Sequence, residues 1–446
     1  QNILDKFTEL FDAISDNING SSYLRIDYRG KSVYEKNFDY KMGTPVTGSS
    51  IFRIGTLTQL ITATAIMIAK EEGIIKSLDD PITDYVAGIQ FDEVLSFNNK
   101  ITFRQLMMHA SGLPSGTPCN TASCNVNWNT YIQDAKTNLK MIQPSYGPRT
   151  FSTLGFAILG NVLSQKTGMS LEAYVKAKIL DPLEMTKTGF TYNTAVMNDL
   201  VVGRDLNDAE VTTADSFYVQ EASAQMYSTA SDFAKFTRCI SSLNRHCSIL
   251  SKHSSRSLLM RSYLSDDKLF STSLGAWEHE FSNGVWFATK HSSIKGYTSY
   301  VALNDDIDLS VVLLTGSEAP VSRKVLEKVT AVFKEFTSTL QVQPTFTRAN
   351  MSLPSIELVK DMVGVYSVFD QFLLYPTYMK VDYLPEYGLM TIAFVESATP
   401  APSSDPPMFT IELVSESNEL TFTVKTLTSL PCMGNVLTGI ECAVVH

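Results

Sequence analysis

The segment from Phe52 to Ala69 places the tightest limit on what this chain can fold into. Phe52-Arg53-Ile54-Gly55-Thr56-Leu57-Thr58-Gln59 runs into Leu60, Ile61, Ala63, Ala65, Ile66, Met67 and Ala69, which put apolar side chains on nearly every side of a helix. A helix of that kind is stable only when other elements surround it, so it belongs in the centre of a domain. Thr56 is expected to start it, with its hydroxyl near the free amides of the first turn, and Gly73 to stop it. A membrane span is not expected. The run carries Thr62 and Thr64 and ends at Lys70-Glu71-Glu72, short of the roughly 18 to 20 apolar residues that a span needs.

With 446 residues the chain exceeds what one core normally serves, and two domains are expected. The first, residues 1–340, mixes helices and strands. Asn2 to Ile18 has the spacing of an amphipathic helix, Ser22 to Tyr40 reads as a hairpin turning at Arg29-Gly30-Lys31, and helices are expected over Ile101–Pro114, Leu154–Thr167, Leu171–Ile179 and Ser231–Ser241. Trp286–Thr289, Thr298–Leu303 and Leu309–Thr315 then read as an antiparallel meander, closed by a helix from Val321 to Leu340. Residues 341–354 are the best linker, and residues 355–446 read as an all-β barrel or sandwich domain.

The formal charge of −10, with 36 basic and 46 acidic residues and no basic run, argues against a nucleic-acid partner. Six cysteines fall in three local couples, Cys119 with Cys124, Cys239 with Cys247 and Cys432 with Cys442. Three short disulfide loops in a secreted, extracellular protein are the simplest account; six buried thiols in a cytosolic protein are the alternative. No couple has the spacing of a metal site, and no metal or other cofactor is expected. Asn19 and Asn350 open glycosylation triplets. The start at Gln1, without Met, suggests a processed mature form or a trimmed chain.

Several segments occur in an order that resembles one family. Phe52-Arg53-Ile54-Gly55, Ser77-Leu78-Asp79-Asp80-Pro81, Ile101 to Pro114, Gly155-Phe156-Ala157-Ile158-Leu159-Gly160, Asp181 to Phe190 and Tyr227-Ser228-Thr229-Ala230 are similar to signatures of the serine β-lactamase and penicillin-binding-protein superfamily, in particular its class C branch of esterases and D-aminopeptidases. The resemblance implies an α/β fold: a β-lactamase/transpeptidase-like antiparallel sheet flanked by helices, with a helical insertion. Val363-Gly364-Val365-Tyr366 resembles the start of the C-terminal lipocalin-like domain that some members carry.

The family's chemistry is acyl transfer by the serine of an SxxK motif, assisted by its lysine, by a YxN tyrosine and by a KTG or HxG strand. Carried over, the serine position is Thr56, the lysine Gln59, the tyrosine Phe151 and its asparagine Thr153. The third motif falls at Lys290-His291-Ser292, with two registers open: Lys290 as its lysine, or His291 as the histidine of HxG. Gln59 cannot take a proton, Phe151 has no hydroxyl, and the methyl of Thr56 crowds attack. A polarising pocket of helix-terminal amides could survive these losses. His109 is expected to serve packing or a hydrogen bond away from the reaction centre, and His246, His253, His279 and His446 to lie on the surface.

These residues imply a secreted, catalytically inactive relative with a binding, assembly or structural role. The positions Thr56, Gln59, Phe151, Thr153 and Lys290 would line a pocket suited to a small apolar or uncharged ligand. A homo-oligomer is compatible with this picture. The alternative is an esterase or amidase that uses Thr56 as nucleophile with Lys290 or His291 assisting.

Overall fold

The computed structural model describes residues 20–39, 45–86, 89, 91, 100–114, 150–211, 221–241, 247–264, 271–282, 285–305 and 308–318, together with the backbone of five strands between 364 and 427. The expected helices at 2–18 and 321–340, the linker, the glycosylation asparagines Asn19 and Asn350, the couples Cys119/Cys124 and Cys432/Cys442, His246 and His446 lie outside the described residues. The chain divides into two compact units, Gln1–Leu340 and Gln341–His446.

The first unit is built on an eight-stranded sheet. The N-terminal hairpin forms β1 (Ser22–Tyr28) and β2 (Lys31–Phe38), two short strands β3 (Phe52–Arg53) and β4 (Gly203–Arg204) follow, and then β5 (Glu210–Val211) and β6 (Tyr227–Ser228). The remaining strands are β7 (Arg261–Leu264), β8 (Ser271–Ser273), β9 (Glu278–Ser282), β10 (Val285–Ile294), β11 (Tyr297–Asn304) and β12 (Leu309–Thr315). The sheet order is β2-β1-β12-β11-β10-β9-β8-β7 with antiparallel neighbours, so the first hairpin is tied to the last strand, Leu24 opposite Leu313. Every residue of β11 and β12 is buried, which requires cover on both faces of the sheet centre.

The helices are α1 (Thr58–Glu71), α2 (Phe103–Met107), α3 (Thr153–Thr167), α4 (Leu171–Val175), α5 (Thr194–Asp199), α6 (Glu221–Ala224), α7 (Ala230–Ile240) and α8 (Lys252–Leu259). As its all-round apolar pattern requires, α1 is buried from Thr58 to Ala69 and packs against α3, α4 and α6. At the crossing of α3 with α6, Gly160 allows close approach; a Cβ there would lie 2.5 Å from that of Ala222. The amphipathic α7 lies on β1 and β12, and it starts one residue earlier than expected because Thr229 caps it by accepting the amide of Asp232 at 3.1 Å.

The expected long helix over Ile101–Pro114 is the short α2. A capping box between Thr102 and Gln105 opens it. His109 then closes it with φ of 58°, and the amide of Ala110 donates back to the carbonyl of Gln105 at 2.8 Å. Among the described residues no helix is long and apolar enough to cross a membrane. In the second unit the strands β13 (Gly364–Val368), β14 (Thr377–Leu384), β15 (Leu389–Val395), β16 (Phe409–Glu416) and β17 (Glu419–Leu427) pair in chain order as an antiparallel meander.

Cys239, at the end of α7, is bonded to Cys247. A loop this short restricts the unfolded chain modestly, so replacing both cysteines by alanine should lower stability by about 2 to 3 kcal/mol in urea unfolding.

Candidate functional site

The site forms where the chain leaves β3, turns through Gly55–Leu57 and enters α1, directly against β10. Thr56 lies in that turn and does not cap the helix: its hydroxyl donates to the carbonyl of His291 at 3.2 Å. The amide of Thr56 donates to the Ser292 hydroxyl at 2.8 Å. This amide, one of those expected to polarise a ligand, already has an acceptor of the protein's own. No side chain caps α1, and the Thr58 hydroxyl ties the turn to the segment before β6. It donates to the carbonyl of Gly55 at 2.6 Å and accepts the amide of Met226 at 3.1 Å.

One turn into α1, Gln59 is fully buried and held at both ends of its amide. Its Nε2 donates to Ser223 Oγ at 2.9 Å, and its Oε1 lies 3.2 Å from His109 Nε2. His109 Nδ1 accepts the backbone amide of Ser152 at 3.1 Å, which fixes the tautomer: Nδ1 carries no proton, so Nε2 does and donates to Gln59. The left-handed backbone of His109 at the end of α2 turns this ring inward, its centroid 4.6 Å from that of Phe151 and 5.2 Å from that of Phe156. His109 is thus a contact partner of two of the altered motif positions and not remote from them.

Phe151 and Thr153 flank Ser152, which caps α3 by accepting the amide of Gly155 at 3.0 Å and donates to the carbonyl of Pro114 at 2.8 Å. Lys290, wholly buried on β10, places Nζ 5.3 Å from the centre of the Phe151 ring and 3.9 Å from Glu278 Oε1. This places Lys290 beside the Phe151 position, the first of the two registers. Strand alternation puts Lys290 and Ser292 on the face toward Thr56 and Phe151 and turns the His291 ring to the other face, opposite Tyr300 on β11. Burial, with Lys290 acting in the same sense and Glu278 against it, holds the His291 imidazole below the usual histidine range. It presents its carbonyl, not a base, to Thr56.

The arrangement brings Thr56, Gln59, Phe151, Lys290 and Ser292 into one place, with Thr153 beside them at the start of α3. Ser223 and Glu278 join the site without a motif to mark them: their only signals are a small residue shortly before Tyr227 and one carboxylate on a strand. His279, expected at the surface, is buried and its Nε2 pairs with the carbonyl of Leu259 at 2.8 Å. Among the described residues no group of three His, Cys, Asp or Glu side chains is placed to hold a metal.

Truncating His109 to alanine would leave the Ser152 amide and the Gln59 carbonyl without their partner and open a cavity beneath Phe151. A loss of about 2 to 4 kcal/mol in urea unfolding is expected.

Comparison with known proteins agrees with this geometry. The Beta-lactamase family profile matches residues 10–332. The chain is 27% identical over 303 residues to Beta-lactamase-like protein 2 of Dictyostelium discoideum, an alignment that covers 65% of this chain and 55% of that relative. It spans about half the length of the curated relatives it matches. A class C beta lactamase from Rhodobacter sphaeroides superposes with a TM-score of 0.63 at 18% identity, covering 75% of this chain and 99% of the other. The octameric penicillin-binding protein homologue from Pyrococcus abyssi superposes with a TM-score of 0.59 at 20% identity, covering 95% of both. With its eight-stranded antiparallel sheet and its buried helix behind a Phe-Arg-Ile-Gly turn, the chain belongs to the Beta-lactamase family.

Proposed function

We propose that this chain is a catalytically inactive β-lactamase-like protein, secreted, with a binding, assembly or structural role. The observation that carries the reading is the position of Gln59, which is fully buried between His109 and Ser223. An acyl-transfer site needs a group at that position that can take the proton of the nucleophile. A carboxamide locked by a neutral imidazole cannot do so. The Thr56 hydroxyl faces a backbone carbonyl, which accepts a hydrogen bond but is no general base at neutral pH.

The secreted location is supported by the Cys239–Cys247 bond. Assembly finds support in the octameric homologue, whose similarity extends over nearly all of this chain. For the second unit we favour a small lipocalin-like barrel, and the strictly sequential meander β13 to β17 supports it. The loss of a lysine at position 59 and the phenyl ring at Phe151 support an uncharged or apolar ligand in the first unit.

A second reading, hydrolysis of an ester or amide by Thr56 with Lys290 assisting, draws on one observation: Lys290 lies beside the Phe151 position.

Incubation with a chromogenic β-lactam, short-chain nitrophenyl esters and D-amino-acid amides separates the two. The native protein should give no turnover above buffer, and Thr56→Ala should change nothing; turnover that Thr56→Ala abolishes would establish the second reading instead. Light scattering on the native protein should report a mass several times that of one chain if the role is assembly.

A further inference from the structure

An acyl-transfer centre polarises its substrate by placing a backbone amide, commonly that of the nucleophilic residue itself, where a negative oxygen will form. The equivalent amide here is that of Thr56. It donates to the Ser292 hydroxyl at 2.8 Å, and Ser292 is almost wholly buried. Gly55 provides the space for this contact. With φ of 49° and no side chain, it leaves open the volume into which Ser292 fits, where a Cβ would lie 2.3 Å from the Ser292 oxygen and 2.8 Å from Ile294 Cγ2. The second bond to the same strand, from the Thr56 hydroxyl to the carbonyl of His291, fixes the distance between the turn and β10.

We propose that Ser292 is a built-in plug: its hydroxyl occupies the place of a substrate oxyanion and keeps the amide of Thr56 closed to any external anion. The proposal rests on the reading of this place as a disarmed acyl-transfer centre, but it concerns binding and not turnover. Its consequence is specific. Removing the hydroxyl takes the one acceptor from the half-buried Thr56 N–H, and a small oxyanion then gains a position that the native protein denies it.

The amide of Thr56 can be read directly. The chain has three Gly-Thr steps, Gly43-Thr44, Gly55-Thr56 and Gly116-Thr117, so carbonyl-labelled glycine with nitrogen-labelled threonine gives a spectrum of three signals. The Thr56 signal is identified by its loss in Thr56→Ser. Inorganic phosphate is the probe, added to the full native chain, to Ser292→Gly and to Ser292→Ala. The native signal should not move. In Ser292→Gly it should shift saturably, with apparent affinity at least about tenfold tighter than native, the scale of one charge-assisted hydrogen bond. Ser292→Ala, which retains a Cβ and little backbone freedom, serves the same comparison if the glycine variant does not fold. A native signal that shifts as readily as the variants', or folded variants whose signal does not respond, would overturn the proposal. Neither result bears on whether the native protein turns over an ester, which the substrate assays decide separately.

Discussion

The structure depends on satisfying the polar groups of a helix that is buried all round. Leaving a hydroxyl or carboxamide without a partner inside a domain costs about 1 to 3 kcal/mol each, and α1 carries four such side chains. Thr58 pairs with Gly55 and Met226, Gln59 with Ser223 and His109, Thr62 with the carbonyl of Ala222 at 2.7 Å, and Thr64 with the carbonyl of Leu60 at 2.8 Å. Three of these four reach other segments. They lock the register of α1 against the stretch from Ala222 to Met226 and against the end of α2, and this places the start of α1 against β10.

The same bonds support the proposed loss of acyl transfer. A lysine at position 59 would bring a charge into a fully buried position, where desolvation is severe unless partners repay it. Gln59 avoids the charge and uses both ends of its amide. The cation that does remain, Lys290, has an aromatic face and Glu278 within reach, an environment that holds a buried ammonium in place. Phe151 then serves as a surface for His109 and Lys290 together, where a tyrosine would have supplied a hydroxyl. The losses at positions 59 and 151 are therefore one packed arrangement and not two separate gaps.

Much of the fold was legible in the residues. The all-round apolar run gave the central helix, the turn at Arg29-Gly30-Lys31 gave the first hairpin, and the three β-rich runs gave β10, β11 and β12, because period and turn chemistry are local signals. The site was legible as a set of altered positions, but its connections were not. That Thr58 and not Thr56 bonds to the turn follows from a short helical turn that inserts before α1. That His109 reaches Gln59 follows from its left-handed backbone, which pattern does not reveal. The register at Lys290 needed Phe151, more than a hundred residues earlier, to be brought alongside it. Ser223 carries no local signal beyond its small size before Tyr227, since its role exists only where α6 crosses α1.

The account reduces to a claim about one oxygen atom: the hydroxyl of Thr56 is a structural tie to β10 and not a nucleophile. Intact-mass spectrometry of the native protein after prolonged incubation with a fluorophosphonate tests this without assuming any substrate. The mass should remain that of the unmodified chain. A single covalent adduct, mapped by peptide analysis to Thr56, would contradict the account.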